Sequence, residues 1–253
     1  MKSSALFGLA RSLLVYYAIP GREAGWRRLY RLFISAGDLC LDLGAHVGNR
    51  SASMLGLGAH VVAVEPQPDY AAVLKRLYGR NPNFTLVSQA VGQQLGRARL
   101  LVSTRTPTVS SLSPQWAAEV AKSPGFARVI WDAQLDTEVT TLDALISEYG
   151  LPAFCKIDVE GSELDVLLGL THPILALSFE YIPAARERAL GCLKRLQALG
   201  DYRFNLVEGE RPQFSLQTWV ASSTIAARLE SLPRNARAGE VFARLHSAMS
   251  SAG

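Results

Sequence analysis

The run Leu41-Asp-Leu-Gly-Ala-His-Val-Gly48 constrains this chain more than any other feature: an apolar strand passes through a glycine turn straight into a helix. Such a strand-turn-helix is the opening of a βαβ unit, and its strand has to be buried on both faces. The rest of the sequence supplies companions for it. From Asp38 onward, short apolar runs alternate with amphipathic stretches. The pattern predicts strands at 39–43, 61–64, 85–87, 154–157, 175–179, 204–207 and 214–220, with helices at 51–57, 70–78, 142–149, 162–170 and 184–199. Residues 208–212 are too few for a crossover helix, so the last two strands are expected to pair antiparallel. A length of 253 residues, 49% hydrophobic and 19% charged, suits one large α/β domain with extensions and excludes disorder as the main state. Cys40, Cys155 and Cys192 are too few and too scattered for a disulfide framework or a zinc site, so a reduced, cytoplasmic setting is expected.

Charge is distributed unevenly. Residues 1–37 carry six cations and one anion, whereas the remainder is net −1. A balanced body offers no basic face to a nucleic acid. The apolar stretch 5–19 is interrupted by Arg11, lacks a cleavage pattern before Pro20 and Gly21, and is too short to span a bilayer. Leu6, Leu9, Ala10, Leu13 and Tyr17 share one helical face, as do Trp26, Leu29, Tyr30 and Phe33. Residues 1–37 therefore read as an amphipathic helical cap, with a weak contact to an anionic membrane surface as a second expectation and a peripheral position at the membrane's inner face as its consequence.

The glycine turn also carries chemistry. Glu65 follows Gly44 by 21 residues and ends the second strand, where a carboxylate can accept both hydroxyls of a ribose. A dinucleotide fingerprint would need a second glycine where His46 stands, and no GxxxxGK[ST] run occurs, so neither a pyrophosphate nor a P-loop phosphate is accommodated. The spacing points to an adenosine without a phosphate tail, of which S-adenosyl-L-methionine is the common carrier. Further on, Phe154-Cys-Lys-Ile-Asp-Val-Glu-Gly-Ser-Glu163 delivers Asp158 and Glu160 to a strand end, and Glu180 ends the next strand. These three are the candidate catalytic residues, one of them as general base. A divalent cation on the same carboxylates is a second reading of the cluster, and no metal is assigned.

Asp42-Leu-Gly-Ala-His-Val-Gly48, Val64-Glu-Pro66, Ala90-Val-Gly92, Ser110-Ser-Leu112, Thr141-Leu-Asp143 and Lys156-Ile-Asp-Val-Glu-Gly161 together resemble, in order, the motifs of FkbM-type S-adenosylmethionine-dependent methyltransferases. The resemblance implies a class I methyltransferase fold: an α/β, Rossmann-like, seven-stranded, mostly parallel sheet with helices on both faces and a C-terminal antiparallel hairpin. It implies cofactor contacts at Asp42, Gly44, Ala45, His46, Gly48, Asn49, Glu65, Pro66, Gln89, Ala90 and Asp158. It also implies methyl transfer to a hydroxyl of a sugar, glycan or natural product. An RNA or protein methyltransferase and a non-catalytic S-adenosylmethionine-binding module stand as alternatives. A base-nitrogen methyltransferase would carry an Asn/Asp-Pro-Pro-aromatic run where Asp158-Val-Glu-Gly161 stands. His60, His172 and His246 read as surface or packing residues.

Domain boundaries follow as a cap at 1–37, a methyltransferase domain at 38–220 and a helical extension at 221–253, read as two short helices around Pro233. Within the domain, 104–138 is long, irregular and rich in serine and proline, and is expected to be a lid that lays Trp116 and Trp131 over the acceptor.

Overall fold

The computed structural model of the chain describes residues 22–246. In chain order the elements are α1 (Arg22–Tyr30), β1 (Leu39–Leu43), α2 (Asn49–Leu55), β2 (His60–Val64), α3 (Pro68–Tyr78), β3 (Phe84–Val87), β4 (Ala90–Val91) and β5 (Gly96–Val102). There follow α4 (Pro114–Val120), β6 (Ala133–Thr140), α5 (Leu142–Tyr149), β7 (Phe154–Ile157), α6 (Glu163–Leu168), β8 (Ala176–Tyr181), α7 (Arg186–Leu199), β9 (Tyr202–Glu208), α8 (Ser222–Ser231) and β10 (Gly239–Leu245). The main sheet runs β3-β2-β1-β7-β8-β10-β9. β10 lies antiparallel to both β8 and β9, and the other pairings are parallel. Chain order reverses beside β1, and at such a reversal the carboxyl ends of the strands open a crevice.

Both faces of the sheet are covered, as continuous apolar strands require. Leu41, Leu43, Ile157, Phe179 and Val241 pack against Leu145, Val166, Leu193 and Ile225 of the helices on one side. Cys40, Val61, Phe154 and Phe242 pack against Trp26, Tyr30, Met54 and Leu74 on the other. The apolar stripe of α1 is thereby consumed by the core: Trp26 and Tyr30 are fully buried, and Phe33 lies 5.3 Å from the Phe154 ring and 5.8 Å from that of Phe242. Arg28 and Arg31 remain outside. The amphipathic stretch assigned to Leu6 through Tyr17 lies outside the described residues. Among those described, no helix is long and apolar enough to cross a membrane.

The antiparallel ending is present, but its second strand is β10 rather than 214–220. That earlier segment touches β9 only through isolated bridges at Phe204 with Val220 and Val207 with Phe214. β10 inserts between β8 and β9, and its apolar centre is masked in the sequence by Glu240 and Arg244, which both lie on strand positions. Among the described residues past 221 there is accordingly one α-helix and one strand, not two helices. The stretch 104–138 is also more regular than its composition suggests. It holds α4 and the beginning of β6, and β6 joins β4 and β5 in a separate three-stranded sheet.

Candidate active site

Gly44 shapes the crevice floor. Its φ is +74°, and a Cβ there would collide with the carbonyl oxygen of Asp158, so only glycine lets the turn after β1 lie against the end of β7. Gly48, at φ +81°, does a different job from the one its motif suggests: a Cβ there would strike Leu74 and Tyr78, so it seats α2 against α3 instead of against a ligand.

At one end of the crevice stands Glu65. Its Oε2 accepts the His46 backbone N–H at 2.9 Å and its Oε1 accepts that of Gln67 at 2.9 Å. The residue is 3% exposed, and burial, only partly offset by those two donors, pushes its carboxyl up to about 7. Each oxygen retains acceptor capacity for a hydroxyl. Burial lowers His46 to about 3, so its imidazole is neutral, and the ring sits 4.2 Å from that of Tyr70.

At the other end, Asp158 follows β7, Glu160 lies in the succeeding turn at φ +53°, and Glu180 belongs to β8. One carboxylate oxygen from each lies within 4.8 Å of the other two. Burial and then the neighbouring Asp158 push Glu160 well above the usual carboxylate range. Burial, followed by Glu160 and Asp158, does the same to Glu180. Lys156 Nζ reaches Asp158 Oδ2 at 3.0 Å and Asp42 Oδ1 at 3.6 Å. Burial alone would push this lysine down, but the Asp158 and Asp42 carboxylates together outweigh it and hold the ammonium charged.

Gly44, His46, Asn49, Glu65, Pro66, Gln89, Ala90, Asp158 and Glu160 line one cleft. Three predicted cofactor residues do not. Asp42 is completely buried beneath it, accepting the Ser51 hydroxyl at 2.6 Å, while Ala45 and Gly48 face the core. Glu180 lines an adjoining cavity together with Asp158, Glu210, Arg237 and Glu240.

Several wall residues carried no signal in the motifs. Arg50, on α2, donates to Glu240 Oε1 at 2.6 Å and lies 3.1 Å over the Trp26 ring. Gln67 donates to the Pro107 carbonyl at 3.2 Å and accepts from Ser110 Oγ at 3.2 Å. Glu240 could not be found in advance because its position depends on β10 joining the sheet.

The stretch 104–138 contributes to the cleft through Pro107, Thr108, Ser110 and Leu112, not through its tryptophans. Trp116 is 1% exposed and packs against Gly161, Ala117, Val120 and Ala185. Trp131 donates its Nε1–H to the Val109 carbonyl at 2.9 Å. Ser111 Oγ donates to the Glu160 carbonyl at 2.6 Å, and Arg188 ties Ser113 Oγ and the Gly161 carbonyl together. Both rings are therefore spent on fixing a wall beside the acidic turn. Glu163 steadies the same turn from within, accepting the backbone N–H groups of Val159 and Gly161 at 3.1 Å each.

The methyltransferase FkbM domain model matches residues 42–187, more than half of the chain. The chain belongs to the FkbM methyltransferase family. It is an enzyme that transfers methyl groups, and its cofactor is S-adenosyl-L-methionine. No curated protein sequence matches it. Among solved structures it is similar to a precorrin-6y C5,15-methyltransferase from Geobacter metallireducens, at 12% identity over 88% of this chain and 87% of that one, with a TM-score of 0.44. It is also similar to the C-terminal domain of the Rhodobacter capsulatus precorrin-6Y C5,15-methyltransferase, at 15% identity, 85% and 84% coverage and a TM-score of 0.41. An rRNA methylase from Streptococcus thermophilus gives 11% identity, 87% and 93% coverage and a TM-score of 0.43. These superpositions are loose, and the fold assignment stands on this methyltransferase's own strand order.

The residues present suit the cofactor. Ser162 is 2% exposed, lines the cleft and has a hydroxyl with no hydrogen-bond partner among the described residues, so it is free to bond a polar group in the cleft. Glu65 would offer acceptors to a ribose at one end, and Asp158 would offer negative charge to a sulfonium at the other.

Proposed function

We propose that the acceptor atom is a hydroxyl oxygen on a sugar, glycan or natural product. The observation that carries this reading is the convergence of Asp158, Glu160 and Glu180 within 4.8 Å. When bound, S-adenosylmethionine would supply a methyl group already activated on a sulfonium sulfur. A neutral hydroxyl is a weak nucleophile and has to shed its proton during the transfer. Glu160, whose proton affinity is raised by burial and then by Asp158, and Glu180, raised by burial and then by Glu160, are suited to take it. Lys156 holds Asp158 in place, and Pro107, Thr108, Ser110 and Leu112 flank the cleft.

The adjoining cavity supports a neutral acceptor. Asp158, Glu180, Glu210 and Glu240 line it with Arg237, while Arg50 pairs with Glu210 and Glu240 and Lys156 with Asp158, a polar wall that suits a hydroxylated acceptor. The buried stripe of α1 removes the apolar face through which Trp26 to Phe33 could enter a bilayer, and among the described residues of this segment Arg28 and Arg31 stay exposed for the weak anionic-surface contact. A cytoplasmic location belongs to the same reading and rests on the cysteine pattern alone.

The test is methyl transfer from labelled S-adenosylmethionine to a panel of polyhydroxylated acceptors, with identification of the labelled atom. Glu160→Gln or Glu180→Gln should lower turnover while leaving S-adenosylhomocysteine affinity in place. Label on nitrogen or carbon, or full turnover in both amide variants, would overturn the oxygen assignment.

A further inference from the structure

The acidic end of the cleft holds more negative charge than proton abstraction needs. Asp158 and Glu180 are brought side by side by the parallel register that pairs Ile157 with Phe179, and the turn after β7 adds Glu160. Among the described residues the cation that ion-pairs with this trio is Lys156, and its charge is shared with the fully buried Asp42. Like charges this close repel strongly in a partly buried site.

A second, independent feature points the same way. Glu240, on β10, is paired in register with Glu180 and lines the same cavity as Asp158 and Glu180. It is 5% exposed. Its Oε1 is taken by Arg50, but its Oε2 is buried without a hydrogen-bond partner. A buried carboxylate oxygen without a donor is costly, and three further carboxylates cannot provide one while ionised.

We propose that Asp158, Glu160 and Glu180 form a binding site for a hard divalent cation of the magnesium or manganese class, with Glu240 Oε2 accepting a hydrogen bond from a water on that cation. The donor set is oxygen only, which suits these ions and not zinc or copper. Ligation through one oxygen each leaves the second oxygens of Glu160 and Glu180 for the acceptor proton. It also leaves coordination positions for acceptor oxygens, so the preferred acceptors are those with two neighbouring oxygens, such as vicinal diols. The inference rests on the methyltransferase reading and specifies its acceptor end.

Binding is measured without turnover. The full chain, stripped with chelator, is titrated with manganese and followed by electron paramagnetic resonance, and each sample is then titrated calorimetrically with S-adenosylhomocysteine. One manganese per chain is expected, displaced by excess magnesium. Glu180→Gln should weaken it by more than roughly 100-fold and Glu240→Gln by about 10-fold, with homocysteine-cofactor affinity kept. If Glu180→Gln fails to fold, Glu160→Gln, on the partly exposed turn, carries the same expectation. Absence of manganese binding in a chain that binds S-adenosylhomocysteine overturns the cation site and leaves the methyltransferase reading intact. Manganese bound equally well by wild type and the amide variants overturns it too. A failure to bind S-adenosylhomocysteine would count against the cofactor assignment instead.

Discussion

The two ends of the cleft are built on opposite electrostatic terms. At the nucleoside end, Glu65 is buried, and each of its oxygens already holds a backbone N–H from the turn that it helps to shape. At the acidic end, three carboxylates converge with only a shared lysine between them and the buried Asp42. The first end is complete and waits for a ligand that adds to it, whereas the second is held in a state that a proton, a cation or a substrate relieves. Binding is therefore expected to concentrate in the former and chemistry in the latter.

The sharpest way to break this contrast is to remove the lysine that supports the acidic end. Lys156 is 3% exposed, and Lys156→Met leaves Asp42 buried without its cation. Breaking a buried pair from one side costs about 3 to 5 kcal/mol, so urea denaturation should show a loss of that size. Adding Asp42→Asn should recover part of it. A single variant as stable as the wild type would show that the contact between Lys156 and Asp42 carries no stability.

The nucleoside end is probed through Glu65. Its removal in Glu65→Ala should cost about 1.5 to 3 kcal/mol of S-adenosylhomocysteine binding, read by calorimetry. The pH dependence follows from its carboxyl, raised from 4.5 to about 7. As pH rises from 4.5 to 7 the unfolded chain releases this proton before the folded one does, so the free protein loses stability over that window. If the ionised carboxylate is what takes the ribose hydroxyls, affinity should fall by up to about tenfold per pH unit below 7. In Glu65→Gln that pH dependence should vanish. An unchanged slope would assign the titration to another group.

How much of this was legible in the sequence differs between the two ends for a physical reason. The nucleoside end is local: Gly44, His46 and Glu65 come from one βαβ unit, so spacing along the chain predicts their meeting. Asp158 and Glu160 were legible for the same reason, as residues just past a buried strand. Glu240 and Arg50 were not, since their contact spans 190 positions and exists only because β10 inserts between β8 and β9. Trp116 and Trp131 misled in a different way. Composition marks them as large rings in a loop, but only packing reveals that Ala185, Gly161 and the Val109 carbonyl claim them. Asp42 lies in the glycine-turn motif yet serves from below, because strand alternation turns it toward Lys156 and Ser51 rather than to the cleft.

The wall between the two ends gives the smallest expected effect. Trp131 is half-buried, meets Trp116 edge-on at 6.3 Å and 78°, and donates to the Val109 carbonyl in the stretch that lines the cleft. Trp131→Phe keeps an aromatic ring for the edge contact and removes the donor. The Val109 carbonyl sits beside a partly exposed ring, so water can replace the lost bond, and the net cost should be about 1 kcal/mol, measured by thermal or urea unfolding. If the ring only pins the wall, that loss should be the same with and without S-adenosylhomocysteine, and the Michaelis constant for the acceptor should stay within about twofold of wild type. A ring that instead covered the acceptor would reverse the pattern: stability would hardly change, while acceptor affinity would fall with the lost contact area. The second pattern would return Trp131 to the acceptor pocket and would mean that the wall moves.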